Sequence, residues 1–459
     1  MKLVENINPY IFREYDIRGT YNINLNEDIA YTIGKSFGSY IKKLNKTKCI
    51  IAHDNRYSSE ELVNALIKGI TQTGVDVIFL GLVTTPMCYF ASIKLEIPSY
   101  IMVTASHNPK DDNGFKLSFD ERGNAKGEMI KDFYDFTRRL DFYEGNGKVS
   151  TYDIKNEYFD LIKNSLDFSN RKVKVVIDCG NGTTSIIAKK LYEMFNVDLT
   201  VIYGDSDPSF PNHHPDPCVE SNLEKLKEVV IKNKADLGIG FDGDGDRLGI
   251  VDEKGNYIPT DLFMIIIIRS IIDKVNNKTF LYDVKCSKAL EDEIIKLGGT
   301  PLCYRTGNSY TKAKVKEENL SFGGELSGHV YFRDRFIGID SALYASLRLV
   351  ELLSKSDKPL SSYLDGIEKY YSTEELKFKS TDDKKHLVVE DVINYAKKKS
   401  YNYITIDGIK IMFNDDSWCL IRVSNTGPNI TARFEAKNKT RLNELITEFV
   451  PFIEKYINN

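Results

Sequence analysis

Residues 236–251 read Asp-Leu-Gly-Ile-Gly-Phe-Asp-Gly-Asp-Gly-Asp-Arg-Leu-Gly-Ile-Val, an acidic hexapeptide between two apolar runs. The runs at 238–241 and 248–251 are short and rich in glycine and β-branched residues, which predicts two strands. In α/β proteins, ligands bind beyond the carboxyl ends of the strands. This stretch therefore predicts an α/β fold with a binding loop between two strands.

The same pattern continues along the first three quarters of the chain. Further apolar, β-rich runs, separated by helix-period stretches, lie at 48–52, 75–80, 100–103, 173–178, 199–203 and 279–284. Two of these runs also lead directly into loops rich in glycine, asparagine or serine, which begin at Thr104 and Cys179. The polar loops thus lie where the sheets of an α/β protein place their binding sites.

The chain has 459 residues, which is enough for three or four domains of about 100 to 200 residues each. A hairpin with its turn near Gly255, followed by a helix from about Thr260, indicates one boundary. Residues 354–362 have the composition of a linker, and the strands and the amphipathic helix predicted after them indicate an α+β domain. We predict three α/β domains and a smaller α+β domain, with limits at 1–150, 151–254, 255–365 and 366–459.

The overall composition excludes several classes of protein. Charged residues make up 28% and apolar residues 42%, as in ordinary globular proteins. A net charge of -4 argues against a nucleic-acid-binding protein, which needs a concentrated basic surface. The apolar run 263–272 is shorter than the roughly 20 residues that cross a bilayer, so it predicts a buried helix. We expect neither nucleic acid, nor a membrane, nor an obligate protein partner.

The expected location is the cytoplasm. The N-terminal residues contain no apolar stretch that resembles a secretory signal. The seven cysteines are scattered and never form a C-x-x-C pair, so neither a disulfide framework nor a structural zinc site is indicated.

Ser106 lies in the first polar loop, Thr104-Ala-Ser-His-Asn-Pro109, after a predicted strand. A serine at a strand-to-helix turn can expose a nucleophilic hydroxyl, but more often it caps the helix that follows. The loop alone leaves both interpretations open.

The second polar loop is the acidic hexapeptide, residues 242–247. Asp242, Asp244 and Asp246 alternate there with glycines, so that three carboxylates can converge on one cation. Their spacing matches positions 1, 3 and 5 of an EF-hand, and Glu253 occupies position 12. However, Arg247 stands where an EF-hand needs glycine and both flanks predict strands, so we reject a calcium-sensing loop. A magnesium or calcium site outside an EF-hand is predicted, and an ordinary acidic turn is the alternative.

The third polar loop is Gly323-Gly-Glu-Leu-Ser-Gly-His329. Glu325, Ser327 and His329 carry polar groups that suit the hydroxyls of a ligand, and the glycines leave room for one. On its own, the stretch is typical of an ordinary turn.

The fourth polar loop is Arg422-Val-Ser-Asn-Thr-Gly-Pro428. It offers guanidinium, hydroxyl and amide donors that suit a terminal phosphate, and Arg433 lies a few residues downstream. A solvated strand end is the alternative interpretation. The candidate phosphate-binding residues are Arg422, Ser424, Asn425, Thr426 and Arg433.

Together, the four loops resemble those of the α-D-phosphohexomutases, and among them the phosphomannomutase/phosphoglucomutase group. Shorter matches at 12–19, 113–116, 210–217, 283–285 and 305–308 extend the resemblance over nearly the whole chain. The resemblance implies four domains, of which the three related α/β domains have mixed sheets, with the active site in a central cleft.

The resemblance also implies roles for the loop residues. Ser106 would carry a phosphoryl group, and the three aspartates would bind one Mg²⁺ whose fourth ligand is a phosphate oxygen on Ser106. Glu325 and Ser327 would contact sugar hydroxyls, and the fourth loop would bind the phosphate of the substrate. The catalytic residues predicted in this way are Ser106, His107, Lys116, Arg247 and His329.

Tyr15, Arg18, Lys116 and Lys285 are further positions that match the active site of the family. One matched position departs from the pattern, because Asn308 stands where the family usually has histidine. Asparagine can donate a hydrogen bond but cannot carry a proton, so an acid/base role falls to His329 or to a lysine.

The implied reaction interconverts hexose 1-phosphate and hexose 6-phosphate, with a hexose 1,6-bisphosphate as intermediate and activator. The expected partner is therefore a small phosphosugar, mannose or glucose phosphate, which differ only at C2. Three other functions remain possible interpretations. A phosphoglucosamine mutase is disfavoured by Leu326, because glutamine is usual at that position, and a non-catalytic phosphosugar-binding protein is favoured by Asn308. The third is a magnesium-dependent phosphatase.

Overall fold

The computed structural model describes residues 1–424 and 427–457. Its first α/β block is built on a six-stranded sheet. The strands are β1 (Ile17–Thr20), β2 (Lys48–His53), β3 (Asp76–Leu82), β4 (Tyr100–Val103), β5 (Asp112–Ser118) and β6 (Val149–Thr151). Their order is β1-β5-β4-β2-β3-β6, and the sheet is mixed because β5 runs antiparallel to both of its neighbours.

Helices of the first block pack on this sheet. They are α1 (Glu27–Lys43), α2 (Ser59–Thr71), α3 (Thr85–Lys94) and α4 (Glu128–Thr137). The side chain of Asn26 caps α1 by accepting the N–H of Ile29, and basic residues in its last turn complement the helix dipole. Ile33, Leu66 and Phe115 contribute to one continuous apolar core between helices and sheet.

The second block contains a five-stranded mixed sheet. Its elements are α5 (Lys155–Asn164), β7 (Val173–Asp178), α6 (Ala188–Tyr192), β8 (Val197–Ile202), α7 (Glu224–Asn233), β9 (Leu237–Phe241), β10 (Leu248–Asp252) and β11 (Tyr257–Ile258). The order is β11-β10-β9-β7-β8, with β7 parallel to β8 and β9. Strands β9, β10 and β11 are antiparallel, which confirms the two strands around the acidic hexapeptide and the hairpin near Gly255.

The third block has α8 (Thr260–Ile271), β12 (Thr279–Asp283), α9 (Lys288–Lys296), β13 (Thr300–Tyr304), α10 (Asn308–Glu317), β14 (Phe322–Gly324), β15 (Val330–Phe332) and α11 (Ala342–Ser354). Strand β12 pairs in parallel with both β13 and β14. The side chains of 263–268 are buried, as expected for the apolar run. Within the described residues, no helix is both long and apolar enough to cross a membrane.

The fourth block is antiparallel throughout. Its elements are β16 (Tyr371–Ser372), β17 (Leu376–Lys379), α12 (Leu387–Lys399), β18 (Asn402–Ile404), β19 (Ile409–Met412), β20 (Trp418–Val423), β21 (Asn429–Ala436) and α13 (Lys439–Glu454). The sheet order is β16-β21-β20-β19-β18, and β17 also pairs with β21. Val392, Phe434 and Phe449 belong to the apolar core that α12 and α13 form with this sheet. The α+β class of the C-terminal block is confirmed.

The chain forms two compact units. Unit 1 comprises Met1–Thr260 and Ser327–Tyr363, and unit 2 comprises Asp261–Leu326 and Leu364–Asn459. The third polar loop is therefore divided, with Glu325 in unit 2 and with Ser327 and His329 in unit 1. Residues 354–362 are not all linker, because a short 3₁₀ helix, Leu360–Leu364, begins there with a buried leucine. The four domain limits given above remain predictions.

Candidate active site

The Ser106 loop connects two strands of the first sheet. It leaves β4 at Val103 and enters the antiparallel β5 at Asp112, so the strand-to-helix turn expected from the sequence was wrong. Ser106 is buried, its N–H donates to Thr104 Oγ1 at 2.8 Å, and its backbone φ is 51°. The left-handed region is uncommon for a residue with a Cβ, and such strain is concentrated at functional sites.

Arg56, which sequence reasoning missed, holds this loop in place. Its guanidinium lies within 2.6 to 3.0 Å of four backbone carbonyls, those of Ser106, Asn108, Pro109 and Asp112. Asp54 accepts its Nε–H at 3.1 Å. Burial lowers the pKa of Arg56, whereas the charge of Asp54 raises it. Because β2 and β4 are parallel neighbours, the residues that follow them share one edge of the sheet, and Arg56 lies just after β2.

The acidic hexapeptide connects β9 to β10 in the second sheet. Oδ1 of Asp242 accepts the backbone N–H groups of Gly245, Asp246 and Arg247 at 2.9 to 3.1 Å. These bonds fold the loop around a carboxylate that is fully buried. Burial, and then the charges of Asp244 and Asp246, raise the pKa of Asp242 well above its ordinary value.

Gly243 allows the acidic loop to approach the serine loop, and Gly245 allows its turn. A Cβ on Gly243 would lie 2.6 Å from the carbonyl oxygen of Ser106, which is too close for any other residue. Gly245 has a φ of 78°, in the region that favours glycine. The contact with the serine loop therefore requires glycine at position 243, and the backbone conformation favours glycine at position 245.

Ser106 and Lys116 contact the aspartates directly. Ser106 Oγ donates to Asp242 Oδ2 at 2.9 Å. Lys116 Nζ lies 2.8 Å from Asp244 Oδ2 and 2.5 Å from Asp246 Oδ2. Burial alone would lower the pKa of Lys116, but the two carboxylates raise it above its ordinary value. The lysine is therefore a fixed positive charge beside the aspartates.

The three aspartates suit a divalent cation. Each offers a ligand atom, these atoms lie within 4.8 Å of one another, and all three residues are buried. Oδ1 of Asp244 and Oδ1 of Asp246 are buried and make no hydrogen bond. A buried carboxylate oxygen without a partner is costly, and a hard cation that prefers oxygen ligands would satisfy both atoms.

Arg247 and His329 lie beside the same triad. Arg247 Nε is 3.9 Å from Asp242 Oδ2 and from Asp246 Oδ1. Burial would lower the pKa of Arg247, but Asp246 and Asp242 raise it. His329 is buried, and its Nδ1 lies 3.7 Å from Asp246 Oδ1 and 3.1 Å from Asp340 Oδ2. Sequence reasoning did not single out Asp340, which has no motif around it.

Unit 1 contains four other predicted residues, of which Arg18 and His107 make contacts in the serine loop. Arg18 donates to Asn108 Oδ1 at 2.8 Å and to Asp16 Oδ2 at 2.6 Å, so it is tied to the loop. His107 Nδ1 lies 3.4 Å from Ser106 Oγ. The half-buried Tyr15 precedes β1, and Ser327 is half-buried beside the glycine that leads to His329.

A second cluster of predicted residues lies in unit 2. Lys285 Nζ is 3.6 Å from Asp283 Oδ2 and 3.8 Å from Glu375 Oε2. Arg422 donates from Nε to Asp407 Oδ2 at 3.0 Å and from Nη1 to Glu375 Oε1 at 3.5 Å. Burial raises the pKa of Glu375, but Lys285 and Arg422 together lower it to about 2. Glu375 thus holds two cations from different blocks near each other.

Asn308 and Glu325 belong to the same cluster. Asn308 is the first residue of α10, and the Gly307 N–H before it donates to Glu325 Oε2 at 3.2 Å. Thr306 Oγ1 donates to Asp283 Oδ2 at 2.9 Å, which links this loop to the end of β12. The parallel strands β12 and β14 thus bring two predicted loops together at their carboxyl ends.

The remaining predicted residues lie in the fourth block. Arg433 Nη1 donates to the carbonyl oxygen of Lys285 at 2.6 Å. The carbonyl of Ser424 accepts a hydrogen bond from Lys385 Nζ at 3.1 Å. Asn425 and Thr426 lie outside the described residues. Sequence reasoning missed Glu375, Asp407 and Lys385, which lie in no recognisable motif.

The four blocks, with a buried serine that contacts an acidic triad, agree with the class of enzyme that the sequence resembles, the phosphohexomutases. Family comparison agrees over four consecutive stretches. The family models for the phosphoglucomutase/phosphomannomutase alpha/beta/alpha domains I, II and III match residues 9–144, 156–255 and 259–370, respectively. The C-terminal domain of the same family matches residues 375–451.

Whole-chain relatives agree with these matches. The phosphomannomutase/phosphoglucomutase of Pseudomonas aeruginosa is 36% identical over 96% of this chain and 94% of its own length. The phosphoglucomutase of Neisseria meningitidis serogroup A is 35% identical, covering 99% and 98%. A crystal structure of a phosphoglucomutase/phosphomannomutase family protein from Burkholderia thailandensis has a TM-score of 0.89 at 35% identity, covering 98% of each chain. This chain belongs to the phosphoglucomutase/phosphomannomutase family.

Proposed function

We propose that this phosphohexomutase acts on mannose and glucose phosphates through a phosphoserine at Ser106 and a hexose 1,6-bisphosphate intermediate. The observation that supports the proposal most directly is the 2.9 Å hydrogen bond from Ser106 Oγ to Asp242. It brings a hydroxyl from one block against three carboxylates from another. A serine capping a helix, or an isolated acidic turn, would not need this contact.

The proposed reaction has two transfers. In the first, an oxygen of a sugar monophosphate attacks the phosphorus on Ser106, the bond from phosphorus to Oγ breaks, and a hexose bisphosphate forms. The hydroxyl proton passes to His329, because Asp244 and Asp246 raise the pKa of Lys116 and keep it charged, so that it cannot accept a proton. In the second, Ser106 Oγ attacks the other phosphorus of the bisphosphate, the bond from that phosphorus to the sugar oxygen breaks, and this oxygen takes the proton back from His329 as the isomeric monophosphate leaves.

The negative charge of a phosphoserine at position 106 would have to be neutralised by nearby cations. A phosphoserine carries about 1.5 to 2 negative charges at neutral pH, and here it would lie against carboxylates. The proposed Mg²⁺ on Asp242, Asp244 and Asp246 would supply the positive charge that stabilises phosphoryl transfer. Arg247 is close enough to two of these carboxylates to add a permanent charge to the same site. Arg18 contacts the loop that would hold the phosphoryl group, and His107 belongs to this loop.

The residues of unit 2 are proposed to bind the substrate. Lys285, Arg422 and Arg433 are buried cations, and guanidinium groups suit phosphate because they can donate two parallel hydrogen bonds. Ser424, Asn425 and Thr426 would add hydroxyl and amide donors to the same phosphate. Glu325, with Ser327, would contact sugar hydroxyls, and Asn308 would donate a hydrogen bond without exchanging a proton.

A coupled assay tests the proposal. Glucose 1-phosphate, mannose 1-phosphate and glucosamine 1-phosphate are compared, with and without Mg²⁺ and a trace of hexose 1,6-bisphosphate. We expect 6-phosphate products from the first two sugars, dependent on Mg²⁺ and stimulated by bisphosphate. Release of inorganic phosphate in place of the 6-phosphates would indicate a phosphatase. A preference for glucosamine 1-phosphate would indicate a phosphoglucosamine mutase.

A further inference from the structure

Asp246, His329 and Asp340 form a second group of potential metal ligands, next to the aspartate triad. One ligand atom from each of them lies within 4.8 Å of the other two, and all three side chains are buried. Asp246 belongs to both groups, whereas His329 and Asp340 belong only to this one. We name the three residues the histidine cluster.

The histidine cluster contains buried atoms that lack hydrogen bonds. His329 Nδ1 makes none, although it lies 3.1 Å from Asp340 Oδ2, and Asp246 Oδ1 makes none either. His329 is 3% exposed and Asp246 is 1% exposed. Buried polar atoms are normally paired, and unpaired ones call for a ligand or an ion. The two atoms lie 3.7 Å apart, close enough to bind one ion.

The distances suit a tetrahedral ion. Zinc binds imidazole nitrogen and carboxylate oxygen at about 2.1 Å, which gives a distance of about 3.4 Å between neighbouring ligand atoms. The two distances from His329 Nδ1, 3.1 Å to Asp340 Oδ2 and 3.7 Å to Asp246 Oδ1, lie on either side of this value. Three protein ligands and one open position are the arrangement of many zinc sites that bind water or substrate.

The ligand types separate this cluster from the triad. The triad offers only carboxylate oxygen, which hard ions such as Mg²⁺ prefer, and Mg²⁺ also demands octahedral geometry. An imidazole nitrogen shifts the preference towards Zn²⁺ and similar transition metals. The two sites therefore differ in the ion that each selects, although they share Asp246.

We propose that the histidine cluster is a second, inhibitory cation site that takes Zn²⁺ or a similar transition-metal ion. An ion bound to Nδ1 holds the ring of His329 in place and takes an oxygen of Asp246 as a ligand. It therefore slows phosphoryl transfer, which is proposed to need both side chains. Inhibition, though not binding, rests on the proposed function of His329 and of the triad.

Cobalt binding tests the site without any sugar. Co²⁺ is added in place of Zn²⁺ to the full-length protein in the presence of excess Mg²⁺, and the visible absorption spectrum shows how the bound Co²⁺ is coordinated. We expect one Co²⁺ per chain with the strong absorption of a four-coordinate ion. His329→Gln and Asp340→Asn should each weaken binding by more than about tenfold, since even a change outside the ligand shell has effects of this size.

Asp244→Asn is the matched control, because it alters the triad and not the histidine cluster. It should leave the cobalt spectrum unchanged. A spectrum that persists in His329→Gln, or one that only Asp244→Asn abolishes, would overturn the inference.

A measurement on the wild-type protein avoids dependence on the folding of variants. With ¹⁵N-labelled histidine and excess Mg²⁺, Zn²⁺ should shift the Nδ1 resonance of one of the six histidines. Absence of any shift contradicts the site. Cobalt binding with no mutase activity would refute the proposed function and leave the site intact, whereas an active mutase without the cobalt signal would refute the site alone.

Discussion

Ser106 Oγ lies 2.9 Å from Asp242 Oδ2, although 136 residues separate the two in the chain. Ser106 has a left-handed backbone at this contact, and position 243 needs glycine because a Cβ there would collide with the serine carbonyl. Any phosphoryl group on Ser106 would therefore lie next to the acidic triad. The proposed chemistry of the site depends on this contact.

Ser106→Ala should abolish mutase turnover, by more than about a thousandfold in kcat, because loss of a covalent nucleophile removes most of the rate enhancement. Steady-state kinetics with glucose 1-phosphate measures this, and calorimetry should show that phosphosugar binding persists. The control is Ser150→Ala, at an exposed position of β6. Wild-type turnover in Ser106→Ala would refute the nucleophile.

Arg56→Lys should lower kcat by at least about tenfold with a smaller change in KM, because small displacements of a reacting group are costly. Lysine has three donors and cannot reproduce a guanidinium that contacts four carbonyls. Each carbonyl left unsatisfied costs about 1 to 3 kcal/mol, so thermal unfolding should also shift to lower temperature. Arg138→Lys, at an exposed arginine, is the control. An unchanged kcat in Arg56→Lys would show that the loop keeps its geometry without the guanidinium.

Asp244→Asn should raise the Mg²⁺ concentration needed for half-maximal activity by more than about tenfold, since it removes one hard carboxylate ligand. Removal of metal by a chelator should abolish wild-type activity, and added Mg²⁺ should restore it. Asp205→Asn, at an exposed aspartate of the same block, serves for comparison. Identical Mg²⁺ curves for all three proteins would contradict the metal site.

Arg422→Ala should raise KM by about ten- to a hundredfold with a smaller effect on kcat, because hydrogen bonds to charged groups contribute about 1.5 to 3 kcal/mol. The measurement is a substrate titration in the mutase assay. Arg441→Ala, in the same block, removes an arginine that pairs with Asp415 and should leave KM unchanged. An unchanged KM in Arg422→Ala would count against its role as a phosphate ligand.

Glu375→Gln should destabilise the protein at neutral pH and much less in acid. The pKa of Glu375 is lowered in the folded state to about 2 by Lys285 and Arg422, against burial, from an ordinary value of 4.5. The folded state therefore favours the ionised form, and this stabilisation is present above pH 4.5 and is lost as pH falls from 4.5 towards 2.

Urea unfolding from pH 7 to pH 4 measures this difference. The free-energy gap between wild type and Glu375→Gln should be constant above about pH 5.5 and should begin to shrink near the ordinary pKa of glutamate. Glu374→Gln changes the exposed neighbour and should show no such gap. A gap that is independent of pH would mean that the charge of Glu375 does not contribute to stability.

The sequence predicted the α/β class, the hairpin after the acidic loop and the α+β class of the C-terminal block, because strand periodicity and glycine turns are local signals. It did not predict that β5 follows the serine loop. Asparagine, proline and aspartate after Ser106 indicate a turn, but whether a helix or a strand comes next depends on pairing with β4 and β1.

The residues that sequence reasoning missed act through long-range contacts. Arg56 reaches carbonyls 50 to 56 residues away, and carbonyl groups have no sequence signature. Glu375 is recognisable only once β17 is paired and Lys285 and Arg422 are near it. Motifs therefore identify groups that would touch a substrate, whereas the groups that hold them require the fold.

The most direct test is to map phosphate on the protein itself. The enzyme is incubated with glucose 1,6-bisphosphate and Mg²⁺, digested, and examined by mass spectrometry before and after a chase with excess glucose 1-phosphate. The account predicts one phosphoryl group, on Ser106, that the chase removes at the rate of turnover. A phosphoryl group on another residue, or full activity with none on Ser106, would contradict it.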